Sequence, residues 1–163
     1  MSKDDSYSAA LPRAGEGKRG ADGYLGYLLR QAAGAYRYRV EAVLHDLQLT
    51  QPQFAALTML AAYPEHSSAD LARLALLTPQ TMSTIVANLE KAGLVSRRPH
   101  ARHGRKQHIA LTDKGRAVLA TAKDKVYVLE TELLAGMTDD EQTVIRRWLV
   151  KVAGAETGPE TKS

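Results

Sequence analysis

Residues 97–108, RRPHARHGRKQH, hold five Lys or Arg and three His without a single acid. Permanent cations this dense engage phosphate oxygens, and an arginine on a loop gains further from the deep negative potential of a narrow DNA minor groove. Arg105 is a candidate for that insertion. Arg97, Arg98, Arg102 and Lys106 are candidates for phosphate contact, with His103 among them on the same loop. The plain alternative for a charge run is a solvated surface. The missing acid argues against it, because a surface without a ligand mixes both signs.

Just upstream, TPQTMSTIVANLEKAG reads as a short helix, with Thr78 and Pro79 at its start and Gly93 at its end. Met82, Ile85, Val86 and Leu89 make its apolar side. Pro79, Gln80, Thr81, Ser83, Thr84 and Asn88 make its polar side. Gln80 and Asn88 have the donor and acceptor pair that matches adenine, and Thr81 has a methyl that matches thymine. Thr78 and the free N–H groups at this helix start suit a phosphate, and Ser68 at the start of the preceding helix suits another. A solvated helix face remains the alternative for each residue taken singly.

These residues need a frame that presents them together. Ser68 is expected to cap a helix running through Leu71, Leu74 and Ala75, with Leu76, Leu77 and Thr78 as the turn into the polar-faced helix. Residues 95–98 and 107–111 read as two strands, with Pro99 and Gly104 in the basic loop between them. Helix, turn, helix and a two-stranded wing form a reader of about residues 50–112. Within it, Thr50 caps a helix that has Pro52 in its first turn and Phe54, Leu57, Met59 and Leu60 as apolar positions.

Long helices flank the reader. One is expected over residues 24–47, with Leu25, Leu28, Leu29, Ala32, Tyr36, Val40 and Leu44 at helical spacing. Another starts at Thr112–Asp113 and runs to Gly136. A last one opens on a capping box from Thr138 to Glu141 and carries Val144, Ile145, Trp148, Leu149 and Val152. This is more apolar surface than the reader can cover. Leu25, Leu28, Leu29, Leu133, Ile145, Trp148 and Leu149 are therefore expected to bury against a second copy, giving a homodimer. The fold class is mainly α with a small β wing, a winged helix-turn-helix flanked by N- and C-terminal dimerisation helices.

The 163 residues suit one domain, expected over residues 23–153, and the polar, aperiodic stretches 1–22 and 154–163 read as disordered tails. Residues 71–112 contain seven Lys or Arg against one acid, a net of +6, which leaves −2 for the rest of a chain whose total is +4. Cations gathered on one unit are the footprint of a nucleic-acid partner. With no cysteine, thiolate metal sites, disulfides and thiol switches are excluded. No stretch reaches the roughly eighteen continuous apolar residues of a membrane span, so a cytoplasmic protein is expected. His100, His103 and His108 lie among cations that repel a divalent ion, so no metal and no cofactor is assigned. Their protonation would add charge to the loop below about pH 6.5.

The segments LTQPQFAALTML, SSADLARLALLTPQTMSTIVANLEKAGLVSRRP and HIALTDKGRAVL, in this order and spacing, resemble the MarR family of winged-helix transcription factors over about residues 24–153. The resemblance implies a homodimer whose wing domains each meet half of a pseudo-palindromic operator in double-stranded DNA. It implies repression relieved by a small phenolic or other anionic effector in a cleft between the dimer helices and the reader. It also places the arginine of the family's Asp-x-Arg wing motif on Arg105, with His103 standing where the acid would be. Tyr36 and Arg39, with Phe54 as an apolar wall, are the candidates for the effector cleft, and core packing is the alternative. An architectural or protein-interaction winged helix without effector control is the competing function. An enzyme is not expected, since no phosphate-binding glycine motif or nucleophile pattern is present.

Overall fold

A computed structural model describes residues 11–64, 66–99 and 107–154. Its elements in order are α1 (Leu25–Leu44), α2 (Gln51–Ala62), α3 (Ser68–Leu74), α4 (Pro79–Lys91), β1 (Val95–Pro99), β2 (Gln107–Leu111), α5 (Asp113–Leu133) and α6 (Asp139–Gly154). Short 3-10 turns precede α1 at Gly17–Arg19 and follow it at His45–Leu47. The first helix is thus shorter than its apolar spacing implies. Its last turn tightens at His45, and Gln48 then takes a left-handed backbone, φ 53°, which ends it.

Helix starts are fixed by side chains that accept the open N–H groups. Thr50 and Gln53 form a reciprocal capping box at α2, and Thr138 and Glu141 form the equivalent pair of bonds at α6. At α3 the cap is Ser67, not Ser68. A capping box needs an acceptor three residues on, and Asp70 stands at that distance from Ser67.

The core is one cluster drawn from every element except α6. Val40 and Leu44 of α1, Leu57 and Leu60 of α2, Leu71 of α3, Met82, Val86 and Leu89 of α4, Val95 and Ile109 of the wing, and Leu119, Ala122 and Val126 of α5 are all buried in it. β1 and β2 pair antiparallel with Val95 opposite Leu111 and Arg97 opposite Ile109. α1 and α5 are joined at the surface as well, by Tyr36 donating to Glu130 and by an Arg39–Glu132 ion pair, and Lys125 of α5 lies 3.6 Å from Asp46 in the turn after α1. By contrast, α6 buries no residue, and its Val144, Ile145, Trp148, Leu149 and Val152 are exposed. Leu25 and Leu133 are exposed as well. No helix among the described residues is long and apolar enough to cross a membrane.

Candidate nucleic-acid interface

α4 is amphipathic in the way its sequence implies. Met82, Ile85, Val86 and Leu89 are buried, so the helix cannot roll, and Pro79, Gln80, Thr81, Ser83, Thr84 and Asn88 are exposed. At 100° per residue, Gln80, Thr84, Asn88, Ala87 and Lys91 form one outward stripe about three turns long. Ala87 and Lys91 were missed in the sequence. Their signal was spacing, seven and eleven residues beyond Gln80, and Lys91 has no ion pair among the described residues.

The start of α4 is largely satisfied internally. The Thr78 hydroxyl accepts from the Thr81 N–H at 3.1 Å and shares a 2.8 Å hydrogen bond with the Thr81 hydroxyl, while Thr84 donates back to the Gln80 carbonyl at 3.2 Å. Pro79 has no N–H. The Gln80 N–H is therefore the first-turn backbone donor still open to a phosphate among the described residues.

Two expected contacts change. The Ser68 hydroxyl is buried with no hydrogen-bond partner among the described residues, so it faces the protein and not a phosphate. Arg97 lies on the same strand face as Val95 and opposite Ile109, and its Nε donates to Glu90 of α4 at 3.1 Å. It braces the wing against α4, with its charge already balanced. The side chain of Arg98 and residues Arg102, His103, Arg105 and Lys106 lie outside the described residues.

The seat of α4 is fixed at its far end by the start of α5. The Thr112 N–H donates to the Leu94 carbonyl at 3.0 Å and its hydroxyl to the Gly93 carbonyl at 2.7 Å, while Lys114 Nζ reaches the Ala92 carbonyl at 2.9 Å. Gly93, at φ 72°, makes the left-handed turn that allows this. Gly115 allows the close approach itself, since a Cβ there would lie 1.9 Å from the Leu94 carbonyl oxygen.

The residues proposed for an effector cleft are each engaged within the chain. Tyr36 is half-buried and bonded to Glu130, and burial followed by that bond pushes its hydroxyl pKa up to about 12. Arg39 is paired with Glu132, and Phe54 packs against the core. A separate cleft of about 580 Å³ lies behind the wing, between the end of α2, β2 and the first turns of α5. Among the described residues no group of three His, Asp or Glu is placed to hold a metal.

Comparison with known proteins gives the family. A MarR family model matches residues 45–106. The HTH-type transcriptional repressor Rv2887 of Mycobacterium tuberculosis is 40% identical over 131 residues, 80% of this chain and 94% of its own length. Rv2887 has been solved with salicylic acid (40% identity, TM-score 0.64, covering 81% of this chain and 98% of that one). It has also been solved with DNA (39% identity, TM-score 0.64, covering 80% and 98%). The transcriptional repressor CouR, bound to a 23-mer DNA duplex, is 29% identical at a TM-score of 0.74, covering 80% of this chain and 92% of that one. Identity of this extent along nearly the whole of Rv2887 shows that the chain belongs to the MarR family, as a winged-helix DNA-binding transcriptional regulator.

Proposed function

We propose that the chain is a homodimeric cytoplasmic repressor that reads a pseudo-palindromic operator and releases it on binding a small phenolic or other anionic effector. The observation that carries the reading is the outward stripe of α4, held by a fully buried opposite side and followed at once by a basic wing. Gln80, Thr84, Asn88 and Lys91 enter the major groove, Thr81 and Ser83 flank them, and the Gln80 N–H at the Thr78–Pro79 start takes a phosphate. Arg105 enters the minor groove, with Arg98, Arg102, His103 and Lys106 along the backbone. The working domain is residues 23–153 with the reader at about 50–112, and α1, the end of α5 and α6 join the two copies. Rv2887 supports the repressor reading by its name, and it supports the DNA and aromatic-acid partners by the complexes in which it was solved.

The test is binding to the intergenic DNA beside the gene, in competition with random duplex, over a salt series. Contact with six to ten phosphates predicts a loss of about a thousand-fold or more between roughly 50 and 200 mM salt. Half-sites are expected about one helical turn, near 10 base pairs, apart. Gln80→Ala should weaken the operator about five-fold or more and random DNA little, since a bidentate base contact discriminates by about 1–3 kcal/mol. Equal weak binding to both DNAs would overturn the operator reading in favour of an architectural module.

A further inference from the structure

Glu90 is the one acid between Leu71 and Thr112, in a segment that carries seven Lys or Arg. Two effects oppose an acid there. Glu90 lies in the last turn of α4, where the carbonyl end of the helix dipole disfavours a carboxylate and favours a cation such as its neighbour Lys91. It also puts a charge that repels phosphate on the helix proposed to enter the groove. What the acid touches is the wing. Glu90 Oε2 accepts from Arg97 Nε at 3.1 Å, a bond from α4 to β1. Both side chains are more than a third exposed, at 36% for Arg97 and 41% for Glu90, and a pair so exposed adds little stability. Its geometric effect is larger. Arg97 shares a strand face with the buried Val95 and stands opposite the buried Ile109, and β1 ends two residues on, at Pro99. The basic segment 100–106 is joined to the hairpin at Pro99 and Gln107, so the angle at which the hairpin leaves α4 decides where those cations are presented.

We infer that Glu90 is a positioning residue that sets specificity: acting through Arg97, it weakens binding to DNA of any sequence and strengthens discrimination for the operator. Contacts to random DNA are made to phosphates in many registers, and they gain from every free cation. The operator complex alone needs α4 in the major groove and the wing cations on the backbone at one fixed separation. A hairpin released from α4 would lose its orientational freedom only in that complex. Arg97, once released, would be a further cation for any phosphate. Affinity for random DNA and preference for the operator are thus expected to move in opposite directions. The inference rests on the operator reading proposed above and adds the residue that sets the ratio of the two affinities. In the sequence Glu90 is visible only as the exception in a basic segment, because its partner lies seven residues on in a different element.

The experiment measures binding of the full chain to the intergenic duplex beside its gene and to a random duplex of equal length, over a salt series. Wild type is compared with Glu90→Gln and with the exchanged pair Glu90→Arg/Arg97→Glu. Glu90→Gln should bind random DNA about two- to five-fold more tightly, with a slope of log affinity against log salt steeper by about one for each Arg97 that reaches a phosphate. Its ratio of intergenic to random affinity should fall about ten-fold or more. The exchanged pair keeps the net charge and re-forms the bond, and it should recover most of the ratio. A Glu90 that only repels DNA would raise both affinities together, and one that only supports the fold would lower both together; either result overturns the inference. An exchanged pair that behaves as Glu90→Gln does would also overturn it, since the pairing would not be the cause. Wild type that prefers neither duplex would overturn the operator reading and this inference with it. A wild-type preference that Glu90→Gln leaves intact would overturn the inference alone.

Discussion

Asp70 accepts hydrogen bonds from the Ser67 hydroxyl at 2.6 Å, from the Ser67 N–H at 3.1 Å and from Arg73 at 2.5 Å. The hydroxyl contributes most, then Arg73, and together they hold the carboxyl down at about 2. In the unfolded chain the same group titrates near 3.9. The folded state therefore binds this proton less readily than the unfolded one. Asp70 contributes stability that is complete above about pH 4 and is lost as pH falls through about 2. Asp70→Asn lacks that dependence. Urea midpoints of the two proteins should differ at pH 6, converge as pH falls from about 4, and coincide only below about pH 2; a gap that persists there would mean that the charge is not its source. The same residue explains why the cap was misplaced. Two adjacent serines stand at the start of α3, and only the position of Asp70, three residues after Ser67, decides between them.

The junction of α4, β2 and α5 works as one mechanical unit, and Gly115 is its tightest point. The backbone of α5 passes so close to Leu94 that any side chain at this position must displace either α5 or the end of α4. Gly115→Ala is expected to destabilise by about 1–3 kcal/mol, the usual cost of overpacking. It should also weaken operator binding beyond what the lost stability explains, because α4 loses its seat. Urea denaturation and operator titration of the refolded variant test this, with Lys114→Ala as the milder control that removes a single exposed bond to Ala92. Unchanged affinity in a stable Gly115→Ala protein would dissociate the junction from DNA reading. At this scale the sequence carried a great deal: apolar spacing separated the buried and exposed sides of α4, and turn and cap residues marked α2, α4, β2, α5 and α6. What it did not carry were contacts made across distance. Glu130 and Glu132, which engage Tyr36 and Arg39, are more than ninety residues away from them, and the Leu94 carbonyl beneath Gly115 lies in the turn between α4 and β1. Arg97 was legible in principle, since strand alternation puts it on the face of Val95.

The whole molecule divides its chemistry between two ends of one chain. Cations concentrate on the reader and wing, while α6 carries an apolar stripe that none of the described residues covers. Val144, Trp148 and Val152 share that stripe with Ile145 and Leu149, all of them exposed. Each large apolar side chain taken from water contributes about 1.5–3 kcal/mol when fully buried, so a second copy covering several of them gains enough to associate. A carboxylate in the middle of the stripe would have to be desolvated in that interface. Leu149→Asp is therefore expected to be a folded monomer by light scattering at concentrations where wild type is a dimer, because Leu149 supports no core of its own. Its consequence reaches the opposite end of the molecule. One reader neutralises half the phosphates that two do, so the slope of log affinity against log salt should fall to about half, and operator affinity should drop toward that for random DNA. A Leu149→Asp protein that remains dimeric would place the interface elsewhere than α6. One that is monomeric yet keeps the full salt slope would show that a single reader makes all the phosphate contacts, and the two-fold operator would no longer follow from the fold.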